Sequence, residues 1–317
     1  MPVRTTRLAP SPTGALHVGN AWSFLIAWSL ARQNDWRILL RIEDLDTPRV
    51  KPGVIEQTID TLRWLGMDWD QRAPLQSEDL APYASAMQTL AEKGLVYPCA
   101  LTRSQIADAA TAPHDDRGDT AHDQRFPAEL RPADRPNVFQ DRATNWRFVV
   151  RSGAVPFDDR LAGSFAPDPS ASVGDFVVWT KRGQPSYQLA VVVDDARQGV
   201  TDVVRGRDLI DSAARQIRLI EALGIEPRPV YAHHPLVRGT DGRRLAKRHG
   251  DTRLEHYRGL GVSPERIIAL LARWAGLHGA PDRISASEFA ARWSPRTMPL
   301  EDPVFTPEDD RWLRKSG

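Results

Sequence analysis

Cysteine is almost absent from this 317-residue chain. Its one thiol, Cys99, excludes an internal disulfide and suits a reducing compartment. No apolar run approaches the roughly 20 residues that span a bilayer. The N-terminus carries no apolar signal segment, so a cytoplasmic protein without a membrane partner is expected. Net charge is nearly absent as well: 42 Lys and Arg against 41 Asp and Glu leave +1. A protein-wide basic field is thereby excluded, and any nucleic-acid contact must come from local patches. No internal repeat is visible. What the chain does have is 41% hydrophobic and 26% charged residues, enough to bury a sizeable core in more than one domain or in a domain with insertions.

Periodicity supplies a coarse order of elements. A short apolar strand, Val3 to Leu8, passes through a Pro/Ser/Gly turn into an amphipathic run from Ala21 to Ala31. Trp36 to Ile42 reads as a buried parallel strand whose C-terminal edge carries Glu43. Pro52 opens a helix with Ile55, Ile59, Leu62 and Leu65 on one face, and Gly66 stops it. The alternation of strand and helix suggests an α/β, doubly wound parallel sheet. From Ile106 to Asn137 periodicity fades and a surface excursion is expected. Strand character resumes at Trp146 to Val150, while the β-branched stretch from Gly174 to Arg205 is open between strand and helix. Asp208 to Leu223 reads as a helix with Leu209, Ala213, Ile217 and Ile220 inward. Ser263-Pro264 starts another that Gly276 closes, and Ser285 with Glu288 forms a capping box for a last short one.

Two distant stretches carry the chemistry: Arg7-Leu-Ala-Pro-Ser-Pro-Thr-Gly14, continuing through His17-Val-Gly-Asn20, and Arg243-Arg-Leu-Ala-Lys-Arg-His249. In the first, His17 and Gly19 sit where a helix begins. Unpaired N–H groups and the positive end of the helix dipole favour phosphate oxygens there, and Gly19 lets a nucleotide approach the backbone. His17 can donate a hydrogen bond to charge building on phosphorus, and Lys247 can bring a full positive charge to the same oxygens. Both duller roles stay open: His17 as a local helix cap, and Lys247 in a general basic patch.

These residues resemble the class I aminoacyl-tRNA synthetases. His17-Val-Gly-Asn20 is similar to the HIGH element, and Arg244-Leu-Ala-Lys-Arg248 to a variant of KMSKS with Ala246 in place of its serine. Arg7-Leu-Ala-Pro-Ser-Pro-Thr-Gly14 with Arg41-Ile-Glu-Asp-Leu-Asp46 narrows the resemblance to the glutamyl and glutaminyl branch, and so does Tyr187-Gln-Leu-Ala-Val-Val-Val-Asp-Asp195 followed by Gly199 to Gly206. The resemblance implies a Rossmann-like catalytic sheet in two halves, 1–96 and 176–237. An inserted α+β subdomain at 97–175 and a KMSKS-like loop with a short C-terminal helical region at 238–317 complete the expected order. A helix starting near Tyr187 is implied as well.

It also implies ATP and Mg²⁺ as cofactors, with Pro10, Thr13, His17, Gly19, Asn20, Leu245 and Lys247 at the nucleotide. His17 and Lys247 would be catalytic. Glutamate presents two carboxylates and an ammonium, which call for guanidinium forks and an acid or hydroxyl. Arg7, Arg205, Glu43 and Tyr187 supply that set, with Ala9 and Ser11 seating the ligand. Asp44 and Asp46 stand evenly between structure and function. Fewer than 70 residues follow Arg248, too few for a large anticodon-binding part. That length and Val191 resemble the truncated branch that attaches L-glutamate to queuosine in the anticodon of tRNA(Asp); charging of a tRNA 3′ end and a silent paralogue are the alternatives. A monomer is expected. Tyr97-Pro-Cys-Ala-Leu-Thr-Arg103 and Phe126-Pro-Ala-Glu-Leu130 keep only Cys99 of that branch's zinc ligands, so no metal is expected and an apolar cluster should replace it.

Overall fold

The computed structural model describes residues 3–110, 125–245 and 251–315. The chain begins β1 (Thr5–Leu8), α1 (Val18–Gln33), β2 (Arg37–Leu40), α2 (Val54–Trp64), β3 (Gln71–Arg72) and α3 (Ala81–Glu92). It continues through β4 (Val96–Pro98), α4 (Arg103–Ala110), β5 (Trp146–Phe148), β6 (Phe157–Asp159), β7 (Gly163–Phe165), α5 (Pro169–Ser172), β8 (Phe176–Thr180) and β9 (Gln184–Pro185). After α6 (Tyr187–Arg197), β10 (Asp202–Gly206), α7 (Ile210–Leu223) and β11 (Val230–His234), it ends in α8 (Leu254–Gly259), α9 (Pro264–Trp274), α10 (Ala286–Arg292) and α11 (Pro307–Arg314).

Parallel pairing runs β1-β2-β3 on one side and β10-β11-β6 on the other, with β7 antiparallel at the far edge. The two groups meet at a seam between β1 and β10. There Thr201 N donates to Thr5 O at 2.9 Å, the Thr6 hydroxyl to Asp202 O at 2.8 Å, and Arg7 to Val204 O at 3.3 Å. One strand order runs outward from β1 and the other from β10. That reversal is the point at which an open α/β sheet leaves a crevice beyond its strand C-termini. All four residues of β1 are buried, as a central parallel strand requires.

Several expectations are corrected here. The stretch Ala21 to Ala31 is buried nearly all round, because α1 lies between the sheet and the helical layer of α9 and α10. The β-branched run Val191-Val192-Val193, left open by its composition, is helical as the resemblance implied: in α6 it packs against α3 and α7, and tertiary burial outweighs β-propensity. Residues 207–209 form a 3₁₀ turn, so Leu209 stays half-buried ahead of α7 and does not share its inward face. The hairpin β6-β7, expected inside the insert at 97–175, extends the parallel sheet, whereas β8 and β9 join β4 and β5 in a separate antiparallel sheet. The excursion expected from Ile106 to Asn137 begins with the end of α4, and residues 111–124 lie outside the described residues.

Other local signals behave as read. Ser285 and Glu288 exchange the two bonds of a capping box. Gly276 (φ 73°) ends α9 where an added Cβ would stand 2.3 Å from Thr297 O, so only glycine fits. No described helix is long and apolar enough to cross a membrane.

Candidate active site

The crevice at the β1/β10 seam opens into a cleft of about 640 Å³. The turn after β1 supplies Ala9, Pro10, Ser11 and Thr13 to its wall, and the start of α1 supplies His17 and Asn20. Arg7, Glu43, Tyr187 and Arg205 enter from the strand edges and from α6. Residues almost two hundred positions apart thus line one cavity.

His17 is the N-cap of α1. Gly19 N donates to its Nδ1 at 3.1 Å, and the Asn20 side chain accepts from His17 N at 3.0 Å. Because Nδ1 accepts, the neutral ring carries its proton on Nε2 and keeps that donor for the cleft. Burial, helped by the positive charge of Arg244, pushes the imidazole down to about 4. His17 is therefore an uncharged donor near neutral pH. Gly19 earns its place differently from the expectation: a Cβ there would meet His17 Cε1 at 3.0 Å, so the glycine makes room for the capping ring.

Charge at the opposite wall is organised by a wholly buried guanidinium. Arg41 donates to Asp195 at 2.6 Å and to Glu43 at 3.1 Å, and Arg7 Nε donates to the same Asp195 oxygen at 3.3 Å. Burial alone would raise the Asp195 carboxyl, but Arg41, Arg7 and Arg205 hold it below its ordinary range. Burial prevails at Glu43, whose carboxyl is raised against the pull of Arg41 and Arg7. A cationic group beside Glu43 would favour its charged form. Tyr187 stands at the lip of the cleft with 41% of its surface exposed. Arg205 is buried. It donates to His233 Nε2 at 3.0 Å, Gln216 Oε1 at 2.8 Å and Leu209 O at 3.2 Å. Three of its five N–H groups are thus used.

Leu245, expected at the nucleotide, turns its apolar side chain into the main core, and its N–H donates to Val237 O at 3.0 Å. Lys247 lies outside the described residues. Asp44 is structural: it is buried and accepts from Ser77 N at 3.0 Å. Asp46 pairs with Arg182 at 3.2 Å and Arg49 at 3.3 Å. Arg41, Asp195, His233 and Arg244 escaped the sequence reading as site components. Arg41, Asp195 and Arg244 lie within the motifs quoted above, whereas His233 lies in none of them.

Cys99 packs with Tyr97, Ile106, Phe126 and Val149, and Leu101 and Leu130 close over them. The residues at the position of the lost zinc site make an apolar cluster, as expected. Among the described residues, no three His, Cys, Asp or Glu side chains gather as a metal site.

The cleft thus lies at the switch point of a doubly wound sheet, beside a histidine-capped helix. The description "tRNA synthetases class I (E and Q), catalytic domain" matches residues 3–292, and the chain belongs to that family. A relative from Rhodopirellula baltica called glutamyl-Q tRNA(Asp) synthetase is 48% identical over 295 residues, 88% of this chain and 87% of its own. Another of that name, from Symbiobacterium thermophilum, is 42% identical over 96% of each chain. The crystal structure of glutamate-tRNA synthetase from Elizabethkingia anophelis superposes with a TM-score of 0.80 at 26% identity, covering 98% of this chain and 70% of that one.

Proposed function

We propose that the chain activates L-glutamate with ATP and transfers the glutamyl group to queuosine in the anticodon of tRNA(Asp). The observation that carries this reading is that two buried guanidiniums, Arg7 and Arg205, share one cleft with the capped His17 and with Glu43. Arg7 and Arg205 take the side-chain carboxylate, and Glu43 and Tyr187 take the ammonium. Glutamine would leave a buried guanidinium without a counter-charge, a strong basis for rejecting it.

The α-carboxylate of glutamate attacks the α-phosphorus of ATP in line. Pyrophosphate leaves, and glutamyl-adenylate remains. His17 Nε2–H meets the developing charge, and Lys247 adds a cation. Mg²⁺ would enter with ATP as part of the substrate and would neutralise charge on its phosphates. A hydroxyl of the RNA then takes the glutamyl group. A neighbouring cavity of about 680 Å³ shares Ser11, Thr13, Glu43 and Tyr187 with the cleft. Arg49, Lys181 and Arg182 on its rim suit an incoming RNA phosphate, and Val191 lines it. No side-chain nucleophile is needed.

The test has two arms. ATP–pyrophosphate exchange is expected with glutamate and without RNA, and little with glutamine. Labelled glutamate should then pass to tRNA(Asp) bearing queuosine and not to the same tRNA lacking it. Equal transfer to both would move the acceptor to the tRNA 3′ end.

A further inference from the structure

Arg205 serves a carboxylate only when its two uncommitted N–H groups face the cleft, and a long, flexible arginine side chain gives up rotamer freedom in being held so. The holding group is a histidine that the sequence did not single out. His233, near the end of β11, places Nε2 3.0 Å from Arg205 Nε and Nδ1 2.6 Å from Asp159 Oδ2. The His233 and Asp159 side chains are both wholly buried. Arg205 Nε can only donate, so His233 Nε2 must accept. The ring proton is then on Nδ1, where the Asp159 carboxylate receives it.

Asp159 is itself tied down. It accepts backbone N–H bonds from His233 at 2.9 Å, Leu161 at 3.0 Å and Ala162 at 2.9 Å. Its place at the end of β6, paired with Tyr231 of β11, explains why the β6-β7 hairpin belongs to the parallel sheet. On the far side Gln216 accepts from Arg205 and is oriented by Gln188 at 3.0 Å. The Tyr231 ring underlies the guanidinium at 5.4 Å.

We propose that His233, kept in a single neutral tautomer by Asp159, is a positioning residue that aims Arg205 at the side-chain carboxylate of glutamate. This rests on the reading of Arg205 as a carboxylate ligand. Two substitutions break the relay in different ways. His233→Phe removes the acceptor and keeps much of the ring volume. Asp159→Asn lets a carboxamide donate to Nδ1, which moves the ring proton to Nε2 and sets one donor against another at Arg205.

Each should raise KM for glutamate in pyrophosphate exchange by about 10- to 100-fold, the loss expected for one hydrogen bond to a charged group. KM for ATP, and kcat at saturating glutamate, should hold, the signature of lost ground-state binding. His233→Gln, whose carboxamide oxygen can accept from Arg205, should recover most of the loss. Arg205→Ala separates the two layers. If it leaves KM for glutamate unchanged, the carboxylate reading fails. If it raises KM while His233→Phe and Asp159→Asn do not, the positioning role fails. A joint deterioration of both KM values and kcat would mark a general packing defect and overturn the assignment too. In the unsubstituted protein, nitrogen-15 NMR at neutral pH should find the His233 proton on Nδ1; a proton on Nε2, or an imidazolium, refutes the proposal without any variant.

Discussion

His17 holds two jobs that a pair of substitutions can pull apart. Its Nδ1 caps α1 by accepting from Gly19 N, and its ring lines the cleft with Nε2–H left to donate. An N-cap is worth about 1 kcal/mol, with a range of roughly 0.5–2. For a chain of this size that corresponds to a loss of about 1.5 °C in Tm. A transition-state donor is worth about 2.7–4 kcal/mol, or about 10² to 10³ in kcat. His17→Ala removes both, so it should lower Tm slightly and slow adenylate formation by about 10² or more. Asparagine is among the best N-caps, and its short carboxamide can accept from Gly19 N without reaching the cleft as the imidazole does. His17→Asn should therefore restore Tm while leaving the rate loss in place. Pyrophosphate exchange at saturating glutamate and ATP, beside a thermal melt, reads both quantities. If His17→Asn kept a rate close to that of the unsubstituted protein, His17 would be a cap and nothing more, and the catalytic role would be withdrawn.

Three further outcomes follow from the same geometry. Arg41→Met strands Asp195 and Glu43 in a buried site and should cost about 3–5 kcal/mol by urea unfolding. Adding Asp195→Asn should recover part of that; no recovery would mean that the charge network is not the cause. Burial holds the folded His17 and His234 imidazoles down at about 4, below the ordinary value of 6.5. Between those values the unfolded chain binds protons that the folded chain refuses, so stability is full above about 6.5 and falls as pH drops toward 4. A urea midpoint as high near pH 5 as at neutrality would contradict this. Finally, with one thiol in an apolar cluster and a structural zinc needing four N or S ligands, purified protein should lack stoichiometric zinc. Elemental analysis showing one tightly held zinc per chain would refute that.

Much of the site was legible because its motifs are local. The Pro/Ser/Gly turn into His17-Val-Gly-Asn20 spells a strand, a turn and a capped helix within 16 residues, and the capping geometry is there. Glu43 could be read because a strand ends just before it. The place of Gly19 at a helix start is legible in the sequence, but the room it leaves for the His17 ring, which an added Cβ would meet, is a three-dimensional fact. The segment around Tyr187 could not be settled from its β-branched composition. Burial against α3 and α7 decides its helix, and that burial comes from chain far away.

By itself the sequence determined the alternating strand and helix order, the helix caps and stops, the acidic strand edge and the residue types suited to an acidic substrate and a nucleotide. These depend on backbone conformation and side-chain chemistry within a few residues, which local sequence controls. Only the tertiary structure decided that Arg7 and Arg205 face one cleft across a seam of two strands, that Arg41 and Asp195 carry the charge balance behind them, and that β6 brings Asp159 to His233. Those partners lie far apart along the chain, and a buried charge acquires its meaning only from the neighbours that folding places around it.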